Sequence, residues 1–254
     1  MPGRLSNGAD MLTFQGLLPD GDHAISYTVP NLLVDHAMRN PPIPPGFWRG
    51  VNINQNAIYM VCFLDELAHA AGVDPLDFRR KRMADHPKSL AVLNAVAEKA
   101  GWGQGSGGVH RGLAVCKAFG SYVAACAEVA VDSRGKLKIH RIVAATDTGY
   151  AVNPQQIEAQ IEGSFVFGLS ALLYGGCTIN GGRVEQENFD TYRSMLIAEM
   201  PKVEVILMPS GGFWGGVGEP TIAVAAPAVL NAIFAATGRR IRQFPLRNFD
   251  LRAV

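Results

Sequence analysis

The sequence predicts an α+β fold of mixed helices and antiparallel hairpins, and three observations predict it. From Asn54 to Gly101 apolar residues recur at helical spacing. From Gly112 to Asp147 the spacing falls to that of strands, and two strand-like runs flank a short turn. Beyond Pro154 a long amphipathic stretch gives way to a second hairpin signal, one more strand and an alanine-rich helix. Helices gathered in one block and strands in the next do not alternate as a doubly wound sheet requires. No internal repeat is visible.

Residues 1–46 read as an irregular arm with room for one strand, because Pro30, Pro41, Pro42, Pro44 and Pro45 interrupt short apolar pieces such as Ala24 to Val29. The following NQNAIYMVCFLDELAHAA places Ile58, Val61, Leu64, Ala68 and Ala71 at helical spacing and stops at Gly72. Asp74 before Pro75 is an N-cap with proline at the first helical position, opening LDFRRKRM. Pro87 opens KSLAVLNAVAEKAG, which ends at Gly101. GLAVCKAFG, SYVAACAEVAVD and KLKIHRIVAATD are strand-like, the last two joined through Ser133-Arg134-Gly135. TGYAVNP turns the chain into a helix from about Pro154 to Tyr174. CTIN, Gly181-Gly182 and RVEQENF give the second hairpin signal, and VEVILM, Val203 to Met208, a strand. The last helix runs from about Thr221 to Ala236, with a kink or fresh start expected at Pro227.

The 254 residues are 48% hydrophobic and 18% charged, enough apolar material to bury one or two cores. A formal net charge of +1 gives no electrostatic reason to expect nucleic acid or an anionic membrane as partner. Arg79, Arg80, Lys81 and Arg82 form one basic cluster, read as a solvated helix face. Cys62, Cys116, Cys126 and Cys177 are far apart and lack CxxC spacing, so no zinc knuckle, protein-held iron–sulfur cluster or disulfide framework is expected. The six histidines form no HxxxH or HxH pair, so no protein-ligated metal is expected either. No apolar run is read as reaching the roughly 18 to 20 residues that span a bilayer, and the first residues lack the order of a signal peptide. A soluble chain with no export address of its own is expected, cytoplasmic or, beside an exported partner, periplasmic.

GGFWGGVGEPT, Gly211 to Thr221, sets five glycines beside one carboxylate, Glu219, at the mouth of the last helix. A phosphate cradle does not fit, because no GK[ST] is present and an acid stands where phosphate would sit. Two readings stay open. Glu219 complements the positive end of the following helix, or the glycines let another body approach the backbone and Glu219 serves as a general base. No second carboxylate, Ser/His/Asp set or Cys/His pair stands at a catalytic spacing. A lone base therefore implies a cofactor that performs the difficult step.

Four blocks carry a resemblance. They are GFWRGV (Gly46 to Val51) with LDELAHAAGVDPLDFR (Leu64 to Arg79); AEVAVDSRGKLKIHRIVAATDTGYAVNP (Ala127 to Pro154); AQIEGSFVFGLSALL (Ala159 to Leu173); and GGVGEP with the APAVLNAIFAATGRRIRQFPL ending. In this order they resemble the C-terminal third of the molybdenum-cofactor-binding subunit of the xanthine dehydrogenase and aldehyde oxidase family. FWRGV, ENFDTYR and AIFAATGRRIR are most similar to the branch of the isoquinoline 1-oxidoreductase β subunit. Residues 47–254 are then the C-terminal portion of a molybdopterin-binding domain, completed by another chain.

The resemblance implies a molybdenum-dependent oxidoreductase: a hydroxylase that oxidises an aldehyde or an N-heteroaromatic substrate with oxygen from water. It implies that Glu219 is the general base, that Val217 and Gly218 lie against the metal's ligands, that Gln160 hydrogen-bonds the pterin and that Arg49 stands near the molybdenum. Asp147 and Asn153 match a structural turn. It also implies iron–sulfur clusters in a partner subunit only, and an isolated chain without activity. The family's second cofactor loop, of MGQG type, is missing; GWGQGSGG (Gly101 to Gly108) only superficially resembles it and matches a variable linker. Two rival readings remain: a catalytically silent fragment or structural subunit that keeps the fold without cofactor, and an unrelated small-molecule binding protein with a glycine-lined pocket.

Overall fold

The computed structural model describes residues 5–6, 9–18, 20–37, 39, 43–44, 46–105 and 107–253. Up to residue 46 the described chain is irregular apart from two short antiparallel strands, β1 (Leu5–Ser6) and β2 (Ala9–Asp10), and a 3-10 turn at Met11–Phe14. Pro41, Pro42 and Pro45 of the expected arm lie outside the described residues. The Ala24–Val29 stretch is not a sheet strand. Its Thr28 N–H goes to the Arg82 carbonyl at 2.8 Å, and Ile25 and Tyr27 are buried in the core.

Three helices follow. α1 (Ile53–Ala70) buries Ile53, Ala57, Val61, Leu64 and Ala68 as one apolar stripe. α2 (Pro75–Arg82) starts where Asp74 Oδ1 accepts the N–H groups of Leu76 and Asp77 at 2.8 and 3.2 Å, satisfying donors the first turn leaves free. α3 (Pro87–Ala100) stops at Gly101, whose φ of 65° suits glycine.

The basic run on α2 is not a solvated face throughout. Arg79 is fully buried, 3.1 Å from Asp65 and bonded to the carbonyls of Pro75 and Val61, while Arg82 lies over the Phe78 ring. A short helix that docks Leu76 and Phe78 must carry one neighbour inside, and Asp65 on α1 supplies the countercharge. Arg240 reaches the same carboxylate at 2.8 Å, so Asp65 ties together α1, α2 and the segment after the last helix.

β3 (His110–Ala118), β4 (Ser121–Val131) and β5 (Leu137–Asp147) pair antiparallel in sequence order. Then come α4 (Pro154–Tyr174), a minimal hairpin of β6 (Ile179–Asn180) and β7 (Arg183–Val184), and β8 (Lys202–Leu207). β8 joins β5 in parallel, so the antiparallel expectation fails for this one strand. α4 is the crossover that returns the chain to the same end of the sheet, which a parallel pair requires. The fold remains α+β, with a mixed sheet of order β3-β4-β5-β8.

Strand residues alternate between two cores. Ala114, Cys116, Val123 and Ala125 meet α4 and α5 on one face; Leu113, Val115, Ala124 and Cys126 meet α2 and α3 on the other. Burial on both faces is why these strands read as nearly unbroken apolar runs. It also pushes the Cys116 and Cys126 thiols up to about 12, which leaves them protonated and inert.

A 3-10 turn at Pro220–Val224 leads into α5 (Ala225–Thr237). The fresh start falls at Ala225, and Pro227 sits in the first helical turn, where an absent N–H breaks no intrahelical bond. α5 lies directly on β3: a Cβ on Gly112 would come within 2.2 Å of the Ala232 nitrogen and 2.3 Å of the Ala228 oxygen. Contrary to the sequence expectation, Pro220–Thr237 is long and apolar enough to cross a membrane, with mean hydropathy 1.6. In this fold 83% of that stretch is buried inside the protein.

Candidate functional site

The glycine loop between β8 and the 3-10 turn is seated on two other turns. On one side Asp147 Oδ1 accepts the N–H groups of Gly149 and Ser210 at 2.9 and 3.2 Å, and Gly211 and Gly215 donate to the carbonyls of Gly149 and Thr148 at 2.7 and 2.9 Å. On the other side the Gly216 N–H meets the Phe119 carbonyl at 2.7 Å, and Ser121 Oγ donates to the Gly216 carbonyl at 2.6 Å.

Four of the five glycines serve this seating. A Cβ on Gly215 would fall 2.1 Å from Ser121 Oγ, one on Gly216 would fall 3.0 Å from Phe119 Cβ, and Gly211 and Gly212 have φ of 72° and 80°. The fifth, Gly218, is open: a Cβ there would meet only Gln160 Oε1, at 3.8 Å. The expectation that the glycines make room for another body therefore fails for the packed Gly215 and Gly216, while Gly211, Gly212 and Gly218 all face open space.

The turn beneath the loop is strained. Phe119 and Gly120 join β3 to β4 with φ of 49° and 75°, positive at both central positions as in a type I′ hairpin. Asparagine or glycine is usual at the first position; a left-handed phenylalanine costs about 1–3 kcal/mol and persists only where its surroundings hold it. Val51, with φ of 47°, is a second left-handed residue at this site, in the turn that precedes α1.

Arg49, Gln160, Val217, Gly218 and Glu219, each singled out in the sequence, meet at the end of the loop. Arg49 Nε donates to the Gly218 carbonyl at 2.6 Å, and its Nη2 reaches the Gln160 carbonyl and Oε1 at 3.1 and 3.0 Å. Glu219 stands at the N-cap of the 3-10 turn, yet its side chain makes no capping bond there. Its Oε1 instead accepts the Gly50 N–H at 2.9 Å. The carboxylate is thus held by the Gly50 N–H and not by a capping bond. Burial holds the Arg49 guanidinium below its ordinary range, with the charge of Glu219 opposing.

Several supporting residues escaped the sequence reading. Asn54 staples the Val51 turn by donating to the carbonyls of Arg49 and Val51 at 2.7 and 3.2 Å, though its place at a helix start marks only a cap. Gly50 admits no side chain: its φ is 87°, and a Cβ would lie 2.5 Å from Asn54 Oδ1 and 2.6 Å from Ile222 Cγ2. Phe119 and Ser121 are distant in sequence from the loop they hold. Gly101 to Gln104, of the stretch that resembles a second cofactor loop, cap α3 and anchor Arg111, without hydrogen bonds to these site residues.

Among the described residues, Arg49 Nη1, Gln160 Nε2 and the N–H groups of Val217 and Gly218 have no protein acceptor, and Glu219 Oε2 has no protein donor. Free donors on neighbouring residues beside one fixed carboxylate fit a group rich in oxygen and sulfur acceptors. Fold and donor set together suit a cofactor-binding module with one acid at its edge.

Comparison with known proteins agrees. The molybdopterin cofactor-binding domain matches residues 52–201, more than half the chain. The β chain of isoquinoline 1-oxidoreductase from Brevundimonas diminuta is 28% identical over 88% of this chain and 29% of that protein. A nicotinate dehydrogenase subunit of Pseudomonas putida is 33% identical over 84% of this chain and 20% of its own length. The solved aldehyde oxidoreductase from Desulfovibrio desulfuricans shares the fold, with a TM-score of 0.63 at 14% identity over 78% of this chain and 40% of that one. The chain belongs to the molybdopterin cofactor-binding domain family. It spans less than a third of the length of the first two relatives.

Proposed function

We propose that this chain forms one wall of the active site of a molybdenum hydroxylase, with Glu219 as general base. One observation carries the reading: Glu219 Oε1 is fixed by the Gly50 N–H at 2.9 Å, while Oε2 has no protein partner among the described residues. A carboxylate held at one oxygen and open at the other can take a proton at a defined place. When bound, the molybdenum–pterin group supplies the oxygen transfer and accepts the electrons. Glu219 receives at Oε2 the proton released during hydroxylation, Arg49 keeps Gly218 and Gln160 in register, and the free Gln160 amide and the Val217 and Gly218 N–H groups bind the cofactor. The substrate class is an aldehyde or a ring carbon next to nitrogen, as the names of the isoquinoline, nicotinate and aldehyde relatives suggest.

The remaining wall comes from a second chain that carries the portion of the relatives this one does not span, and an iron–sulfur subunit removes the electrons. The first partner has a surface to cover. Tyr59, Phe63 and Leu67 lie exposed at helical spacing on α1, and Trp48 stacks on Phe167 at 4.8 Å with both rings partly exposed.

Glu219→Gln in the assembled complex should lower turnover by about 100- to 10,000-fold with molybdenum retained, because only the base is lost. Unchanged turnover would refute the role. The rival, a silent fragment or structural subunit that keeps the fold without cofactor, is favoured by one observation: Gln160 is exposed. Molybdenum analysis with size analysis on native material decides between them. Metal in a complex with a larger chain supports the hydroxylase; a lone metal-free chain supports the rival.

A further inference from the structure

The segment Gly21–Ala24 runs across the strained Phe119–Gly120 turn, hydrogen-bonded to it twice and once to Lys117 of β3. Lys117 Nζ donates to the Gly21 carbonyl at 2.7 Å, the Gly120 N–H to the Asp22 carbonyl at 3.2 Å, and the Phe119 N–H to His23 Nδ1 over a long 3.4 Å. The His23 ring also meets the Phe119 ring edge to face, with centroids 4.9 Å apart. Phe119 in turn gives its carbonyl to the Gly216 N–H at 2.7 Å, three residues before Glu219.

We infer that His23 is a positioning residue: its neutral imidazole accepts the Phe119 N–H, holds Phe119 left-handed, and thereby fixes the glycine loop that carries Glu219. The consequence for catalysis rests on the proposed role of Glu219; the mechanical coupling does not. Accepting at Nδ1 places the ring proton on Nε2. A second proton would set N–H against N–H and release the turn.

The surroundings on balance favour the neutral ring. Burial, the largest influence, holds His23 below its ordinary value of 6.5, and Lys117 on β3 acts in the same direction. Asp22 on the same segment and Glu219 on the loop oppose them. On acidification the protonation of His23 should therefore reach the loop through Phe119.

An NMR titration of the full chain from about pH 8 to about pH 5 tests the coupling. The Phe119 and Gly216 amides should shift with the midpoint of the His23 ring, below 6.5. In His23→Gln that inflection should vanish from both amides. In Lys117→Met, which removes a facing cation and keeps the His23 imidazole, the ring and both amides should move together to a higher midpoint. Amides that stay flat, or that titrate unchanged in either variant, would overturn the inference, and Lys117→Met still decides if His23→Gln does not fold. No readout involves molybdenum or turnover, so failure here leaves the Glu219 reading standing, and the converse also holds.

Discussion

Arg49 and Gly218 are 169 positions apart in sequence and are joined by a 2.6 Å hydrogen bond from the guanidinium Nε to the carbonyl, while the same fork holds Gln160. A lysine offers one ammonium and cannot present two coplanar donors. Arg49→Lys should keep the fold and lower turnover of the assembled enzyme by about 100-fold, because the loop loses its register. Molybdenum content should fall with it. Unchanged rate and metal content would reduce Arg49 to a packing residue beside Trp48.

Asp65 is the countercharge for fully buried Arg79 and for Arg240, at 3.1 and 2.8 Å. Asp65→Asn removes that charge and strands Arg79, whose Nε already has no partner among the described residues. Breaking a buried pair from one side costs about 3–5 kcal/mol. Denaturant unfolding should show that loss, and a change below about 1 kcal/mol would mean that water reaches Arg79.

Gly112→Ala should destabilise the chain by about 3 kcal/mol or prevent folding, because the added methyl meets α5 backbone rather than a movable side chain. Thermal unfolding measures it. A near-native Tm would show that α5 can lift from β3.

Arg242 donates to both oxygens of Glu66 at 2.8 and 2.7 Å, and this hydrogen bonding holds the Glu66 carboxyl below its ordinary 4.5. The carboxyl is more acidic folded than unfolded, so its contribution is present above 4.5 and is lost as pH falls through the lowered value. Arg242→Gln should lower Tm slightly at about pH 7 and not at about pH 2. The effect is small because water screens so exposed a pair. An equal loss at both pH values would assign it to packing.

Phe63→Glu places a charge in the exposed apolar stripe of α1, where Phe63 is 54% exposed. Sedimentation should show less self-association of the isolated chain, and native purification should lose the larger partner. Retained partner and unchanged association would move the docking surface elsewhere.

Local chemistry was legible in the sequence wherever one residue decides the backbone. Asp74-Pro75 opened α2 and Gly101 closed α3 as read. The long-range features were not. Nothing local to VEVILM says that it pairs in parallel with β5, because that partner is chosen by α4. Arg79 looked solvated among three other cations, since burial depends on Asp65 of another helix. The resemblance named Arg49, Gln160 and Glu219, and the structure brings them together. The left-handed Phe119, the Gly50 N–H on Glu219 and the Asn54 staple exist only once the tertiary contacts have formed.

The two bonds that define the carboxylate, Arg49 to Gly218 and Gly50 to Glu219, each close a span of 169 positions. Contacts of such high order are made late in folding, after nearer elements have offset the entropy of loop closure. The site therefore has no local folding nucleus and cannot outlive the sheet. A ribosome-bound chain released before α5 has docked would contain every residue named here except a working arrangement of them, so the competence of this wall to receive its cofactor is a property of the finished chain.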